Sequence, residues 1–314
     1  MFNNLKKVLR SVPTVDLTDY IAPIDPQEFY QNMGLLEHPH TRQPVKRLTS
    51  YQLEAWKDAF RYRYRLVVKS QKIGMTTTSL MEDFQRCLLS IEHSLSCRGK
   101  EILLIAQTHA MAKEHLMTLQ YMIMNSERYR NYLILSADEG GSGLAQTKAT
   151  QLYIYNPTNP KKPTRIIALG PSAASIWSWK NVKHIHMSDV AAIESRIDDA
   201  PIFGAAFSRL ANTNGTMLIE SPPRGQRGKV WDIYKASKLK GDDVYEEAKF
   251  KVREYSAQRA VDAGLITEEF LQTERVRLGP LYGQYYECEF MNPYTSWYTQ
   301  DMIKYDNNPY YVEY

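Results

Sequence analysis

Residues 67 to 78 read Val-Val-Lys-Ser-Gln-Lys-Ile-Gly-Met-Thr-Thr-Thr. A phosphate-binding loop usually runs glycine, four free positions, then Gly-Lys-Ser/Thr, with the lysine reaching the outer phosphates. Gly74 and Thr76 stand where that pattern needs them, but Met75 fills the lysine position and Lys69 fills the first glycine position. The chemistry survives if the loop curls around an anion, because both ends of the curl then lie beside it. Backbone N–H groups of Ser70, Gln71, Ile73, Gly74, Met75, Thr76 and Thr77 could cradle the phosphates at a helix amino terminus. Lys69 would reach the anion from the strand side, Lys72 would add charge, and the Thr76 hydroxyl would face Mg²⁺. The bland alternative is an ordinary strand-turn-helix corner.

Phosphoryl transfer also needs a carboxylate at the end of a neighbouring strand, to hold Mg²⁺ or to orient the attacking water. His184-Ile-His-Met-Ser-Asp189 supplies Asp189, although an Asp there is often only a turn former. His184 and His186 share one strand face and could pair on a metal, but no third ligand accompanies them. Leu218-Ile-Glu-Ser-Pro-Pro-Arg-Gly225 is another strand ending in a rigid corner, and Ser221, Pro223, Arg224 and Gly225 could sense the outer phosphate. Upstream, Gln52 carries an amide able to read an adenine edge and Tyr51 offers an aromatic face. A helix-surface glutamine is the plainer reading.

The elements that must position these groups are legible as short apolar runs at 65–68, 101–106, 165–169, 182–187 and 216–219, bounded by Gly, Pro, Ser or Asn. Such runs read as strands buried on both faces. Helical patterns at 77–95 and 110–124 lie between them, which predicts an α/β fold with a mainly parallel sheet. Glu139 to Gly143 and Asn156 to Pro160 read as surface turns. From about Lys235 the pattern becomes helical and polar, with Thr267-Glu-Glu-Phe as a helix start.

The chain of 314 residues is 43% hydrophobic and 24% charged, with 15 Gly and 15 Pro, which excludes general disorder. No apolar run approaches the ~20 residues of a membrane span, and Pro13 and Asp16 interrupt any leader-like core. Cys87, Cys97 and Cys288 lack paired or metal-like spacing, which suits a reducing compartment. The net charge of +4 is mild, but basic residues bunch at 60–65, 161–165, 224–229 and 235–240, as a polyanion partner would need.

Taken in order, Tyr51-Gln52, Lys69 to Thr76, Ser188-Asp-Val-Ala191 and Ser221 to Gly225 resemble the ATPase domain of the large terminase subunit, the DNA-packaging motor of tailed viruses. Gly283 to Phe290 also resembles the segment that closes that domain. The resemblance covers roughly 48 to 292 and implies a P-loop ATPase of the ASCE type with a small helical lid. It further implies a Walker A loop whose lysine has moved to Lys69, Gln52 as adenine reader, Lys72 near the γ-phosphate, Thr76 and Asp189 at Mg²⁺, and Ser221 to Gly225 as coupling motif. Relatives carry Asp-Glu or Ser-Glu where this chain has Ser188-Asp189. Asp189 thus takes the catalytic glutamate's position, and no separate Walker B aspartate precedes it.

The implied organisation is an N-terminal extension over 1–47 packing with the lid, an ATPase core over 48–240, a lid over 241–292 and a tail over 293–314. About two dozen residues after Phe290 are too few for the nuclease that full-length relatives carry. Implied partners are ATP and Mg²⁺, viral double-stranded DNA, the portal of a preformed capsid, a small terminase subunit, further copies in a ring and a separate nuclease, all in the host cytoplasm. An arginine among Arg196, Arg209, Arg224 and Arg227 would complete a neighbouring subunit's site. The tail rings at 294–311 would pack on the chain, stack bases or bind a portal. A helicase-like translocase and a non-hydrolysing assembly component remain rival readings.

Overall fold

The computed structural model describes residues 22–34, 45, 47–134, 150–193, 199–238 and 250–291. Arg196, the turn at 139–143, the tail rings and most of 1–47 lie outside them. The elements in chain order are α1 (Pro26–Met33), α2 (Ser50–Asp58), β1 (Tyr64–Lys69), α3 (Met75–Leu88), β2 (Glu101–Ala106) and α4 (His109–Asn125). Then come β3 (Leu133–Ile134), β4 (Gln151–Ile154), β5 (Thr164–Leu169), α5 (Ala173–Trp177), β6 (Val182–Ser188), α6 (Ala200–Ala211) and β7 (Thr216–Ser221). The chain continues through α7 (Gly228–Lys238), β8 (Phe250–Tyr255), α8 (Ala257–Asp262), α9 (Glu268–Leu278) and α10 (Tyr282–Tyr286).

Among the described residues the strands form one sheet in the order β3-β4-β5-β2-β6-β7-β1-β8. From β5 to β8 every pairing is parallel, while β3 and β4 add an antiparallel edge. The apolar strands are buried on both faces because helices cover both. One face packs Leu80, Phe84 and Leu88 of α3, Leu116 and Leu119 of α4, and Phe29 of α1 onto Ile102 and Leu104. The other packs Ile202, Phe203 and Leu210 of α6 and Ile233 of α7 onto Leu103, Ile185 and Ile219.

The structure differs from the sequence reading in three places. Residues 250–255, expected within a helical lid, form β8, which pairs with β1 over its whole length. Its apolar groups are spaced among Lys251, Arg253 and Glu254, as an edge strand half open to solvent allows, so it lacks the unbroken apolar run of the inner strands. Helix α1, expected to meet the lid, packs on the core helices instead, with Phe29 beside Trp56, Phe84 and Tyr129. Arg65, counted in a basic surface cluster, is buried: its guanidinium donates to Glu82 and to the Ala55 carbonyl at 2.9 Å. The expected helix start at Thr267 is present, its hydroxyl accepting from the Phe270 N–H at 3.2 Å.

Candidate nucleotide-binding site

The parallel order β6-β7-β1 brings three strand ends side by side at the carboxyl edge of the sheet. Register pairs Val67 and Val68 of β1 with Glu220 and Ser221 of β7, and Ser188 of β6 with Glu220. Lys69, Asp189 and Glu220 therefore converge from three adjacent strands. Ligands of open α/β sheets bind at this edge.

Between β1 and α3 the chain turns through residues 70–74. Lys72 has φ 63° and Gly74 has φ 73°, so the loop curls tightly and delivers Met75 as the first helical residue. Carbonyls of the last elements hold its outer side: Ser70 N–H donates to Tyr255 O at 2.9 Å and Gln71 N–H to Tyr285 O at 3.0 Å. From below, Tyr51 Oη and Gln52 Nε2 both donate to the Ile73 carbonyl, at 2.7 and 3.3 Å. A Cβ on Gly74 would lie 2.8 Å from Gln52 Nε2.

The loop borders a cleft of about 350 Å³ lined by Lys69 through Thr77 together with Gln107, Met111, Asp189, Pro222 and Arg224. That volume falls in the range of small-molecule sites, ~300–1,000 Å³. Lys69 is among its lining residues. Its ammonium donates to Thr76 Oγ1, lies 3.2 Å from Asp189 Oδ1, and lies 3.6 Å from Glu220 Oε1. Lys69 thus meets a hydroxyl and two carboxylates at one point.

Most of the expected site residues lie in or beside this frame. Lys69, Lys72, Thr76, Asp189 and the loop backbone face the cleft. Met75 contributes its backbone there, while its side chain is buried against Tyr51, Val67, Ile73 and Leu218. Methionine at the usual lysine position is therefore a core residue. Tyr51 and Gln52 lie behind the loop rather than along the cleft. The Gln52 amide is spent on the Ile73 carbonyl and on the Thr49 N–H, which donates to Oε1 at 3.0 Å in a capping box. Ser221 is buried, accepting from Ala191 N–H at 3.1 Å and donating to Pro222 O at 3.0 Å, so it ties the end of β7 to the turn after β6. Arg224 lines the cleft of its own chain, stacked over the Tyr285 ring at 5.5 Å. Arg209 instead donates to the Trp179 carbonyl at 3.3 Å.

His184 and His186 flank a carboxylate of α3. His186 Nδ1 lies 2.7 Å from Asp83 Oδ2, and His184 Nε2 lies 3.2 Å from Asp83 Oδ1. On its other side His186 Nε2 is 3.4 Å from Glu220 Oε1. Burial disfavours charge on His186, but Asp83 and Glu220 outweigh it and hold the imidazole protonated well above its ordinary value. Burial also opposes ionisation of Asp83 and Glu220, yet both are depressed: Asp83 by the charge of His186 and by hydrogen bonds from His184 and His186, Glu220 by Lys69 and His186. For His184, burial and then Arg86 dominate and lower its pKa to about 4, so it stays neutral.

A second ionic group lies deeper under α3. Glu82 receives Arg86 Nε at 3.0 Å together with Arg65, and Arg86 also donates to Thr216 at 3.1 Å. A polar layer thus runs between α3 and the sheet, ending at Lys69.

Glu220 is the buried carboxylate beside the site that the sequence reading did not single out. Its signal was present: a charged residue inside the buried run Thr216 to Ser221. Gln107 and Met111, which follow β2, carried no comparable signal.

Among the described residues no group of three or more His, Cys, Asp or Glu side chains is arranged to hold a metal alone. Thr76 and Asp189 nonetheless suit Mg²⁺, a hard ion that keeps several waters and takes phosphate oxygens beside one or two protein ligands. Both groups already surround a cation, the Lys69 ammonium. No helix of the described residues is long and apolar enough to cross a membrane.

No protein-family model matches the sequence, and no curated protein matches it. Solved structures do. The ATPase domain of the Thermus phage P74-26 large terminase is 14% identical with a TM-score of 0.51, over 73% of this chain and 89% of that one. The HK97 bacteriophage large terminase is 13% identical with a TM-score of 0.59, over 85% of this chain and 54% of that one. The large terminase of a thermophilic bacteriophage, in complex with ADP, is 11% identical with a TM-score of 0.53, over 78% of this chain and 54% of that one. The chain spans about half the length of these last two proteins. The fold of this chain, a mostly parallel mixed sheet flanked by helices, is that of phage large terminase ATPase domains.

Proposed function

We propose that the chain is an ATPase motor subunit that translocates viral double-stranded DNA into a preformed capsid. The observation that carries this reading is the convergence of Lys69 on Thr76 and on Asp189 at 3.2 Å, beneath a loop whose backbone curls toward the same cleft. The likeness in fold to large terminase ATPase domains, one of them an ADP complex, supports it.

In this reading ATP lies with its phosphates on the N–H groups of the loop and the amino end of α3. Lys69 leaves the carboxylates for the phosphate oxygens, where its charge stabilises the transferring group. Mg²⁺, held by Thr76 and Asp189, would neutralise charge on the phosphates. Asp189 orients a water that attacks the γ-phosphorus; the bond to the bridging oxygen breaks, ADP leaves, and the water's proton passes to Asp189 or to the released phosphate. Arg224, which lines the cleft, would follow the outer phosphate, and Ser221 would relay the change between the ends of β7 and β6. DNA would be held through its phosphates, without sequence preference. Lys161, Lys162, Arg227 and Lys235 are exposed for such contacts. Portal protein, small terminase subunit and further copies in a ring are the partners that such a motor requires, and the host cytoplasm is where it would work.

The test is ATP turnover with and without double-stranded DNA, wild type against Asp189→Ala. DNA-stimulated turnover lost in the variant supports the motor. Nucleotide binding without turnover in the wild type selects the non-hydrolysing assembly component instead.

A further inference from the structure

We infer that Glu220, on the strand beside the one where an ATPase of this type usually carries its metal-holding carboxylate, takes over that task as a positioning residue, acting through the Thr76 hydroxyl and the metal's own waters. The inference rests on the nucleotide reading of the site and deepens it.

Four observations converge on Glu220. First, Ser188 ends β6 where a carboxylate is expected, and its hydroxyl donates to Glu220 Oε1 at 3.0 Å. Direct register pairing of Ser188 with Glu220 makes this a replacement across one strand spacing. Second, Glu220 faces the groups that meet in the site: Lys69 Nζ lies 3.6 Å away, and the Thr76 hydroxyl, which accepts from that same ammonium, helps keep the carboxylate ionised. Third, the side chain is wholly buried and fixed from behind by Ser79 Oγ at 3.3 Å and His186 Nε2 at 3.4 Å. A fully buried carboxylate inside an apolar strand is costly unless paired, and here each of its partners lies at or behind the cleft. Fourth, Asp83 on α3 holds His186 at 2.7 Å, so the strand carboxylate is anchored to the helix that carries Thr76.

This arrangement divides the labour that Ser188-Asp189 alone could not. Asp189, at the cleft wall, would hold the ion's open side and orient water, while Glu220 would set the Thr76 hydroxyl from behind and accept from the ion's own water. Carboxylates that hold a metal's ligands from behind are worth about 10–100-fold in metal affinity.

The experiment titrates Mn²⁺ into the full chain saturated with ADP, reading free Mn²⁺ by electron paramagnetic resonance, with metal-free ADP affinity measured in parallel by calorimetry. Wild type, Glu220→Gln and the exchange Ser188→Asp with Glu220→Ser are compared. The expected result is a loss of about 10–100-fold in Mn²⁺ affinity for Glu220→Gln with little change in metal-free ADP affinity, and recovery in the exchange variant. Mn²⁺ affinity unchanged in Glu220→Gln overturns the inference, as does a parallel loss of metal-free ADP affinity, which would mark a purely structural role. If Glu220→Gln does not fold, the exchange variant decides: folded with wild-type Mn²⁺ affinity it supports the inference, folded without it the inference fails. A wild type that binds no ADP defeats the nucleotide reading itself, a separate outcome.

Discussion

Replacing Gly74 by alanine places a methyl group where the backbone has φ 73° and where Gln52 Nε2 would lie 2.8 Å away. Two costs follow. The left-handed conformation costs an alanine about 1–2 kcal/mol. Relieving the clash requires the Gln52 amide to swing away from the Ile73 carbonyl and the Thr49 N–H, and each lost hydrogen bond is worth about 0.5–1.5 kcal/mol. The sum for Gly74→Ala is about 2–5 kcal/mol. In a Gln52→Ala background the clash and both bonds are already absent, so only the backbone term of ~1–2 kcal/mol remains. Urea unfolding of wild type, both single variants and the double variant measures the difference as a coupling energy, provided the m-values agree. A favourable coupling of ~1–3 kcal/mol is expected from the two shared hydrogen bonds. Strict additivity would refute the claim that Gln52 is the buttress of the phosphate loop.

Three further outcomes follow from the buried polar layer. Asp83→Ala strips His186 of its nearer carboxylate and leaves its buried charge only the more distant Glu220, so it should destabilise the fold by about 3 kcal/mol in chemical unfolding. His184 has its pKa lowered to about 4 from an ordinary 6.5, so its contribution is present above pH 6.5 and is lost as pH falls toward 4. His186 is raised, so its contribution is fully present below its ordinary value of 6.5 and adds no slope there. Thermal melting should therefore decline from about pH 6.5 to about 4.5 in the wild type and more shallowly in His184→Gln. Met75→Lys restores the usual motif spelling but drives an ammonium into the cluster of Tyr51, Val67 and Leu218. We expect a loss of about 3 kcal/mol and, combined with Lys69→Met, no recovery of nucleotide affinity.

The inner strands were legible because continuous apolar runs between turn residues leave little alternative to a buried parallel sheet. The strand-turn-helix corner at Lys69 to Thr76 was legible because glycine, hydroxyl and lysine follow a buried apolar run at close spacing. β8 escaped because an edge strand need not be apolar throughout, and its Lys251, Arg253 and Glu254 read as a solvated helix. Gln52 was assigned to a ligand because its amide suits adenine, but the neighbours that the fold places beside it, Thr49 and Ile73, use that amide first. Glu220 escaped for the opposite reason. Its partners lie on α3, β1 and β6, and register between non-consecutive strands is not written in any local pattern. The two histidines showed the same limit: their spacing announced a shared face, while the Asp83 that faces both lies 103 positions from His186 in sequence.

The central claim is that the loop from Lys69 to Thr76 binds nucleotide phosphates with its lysine at the first position. Calorimetric titration of Mg·ATP into the wild type and into Lys69→Ala tests it directly. The account predicts one saturable site per chain in the wild type, weakened by roughly tenfold or more in the variant, since a charge-assisted contact is worth about 1.5–3 kcal/mol. Equal affinity in the two proteins, or no binding in the wild type, would contradict it.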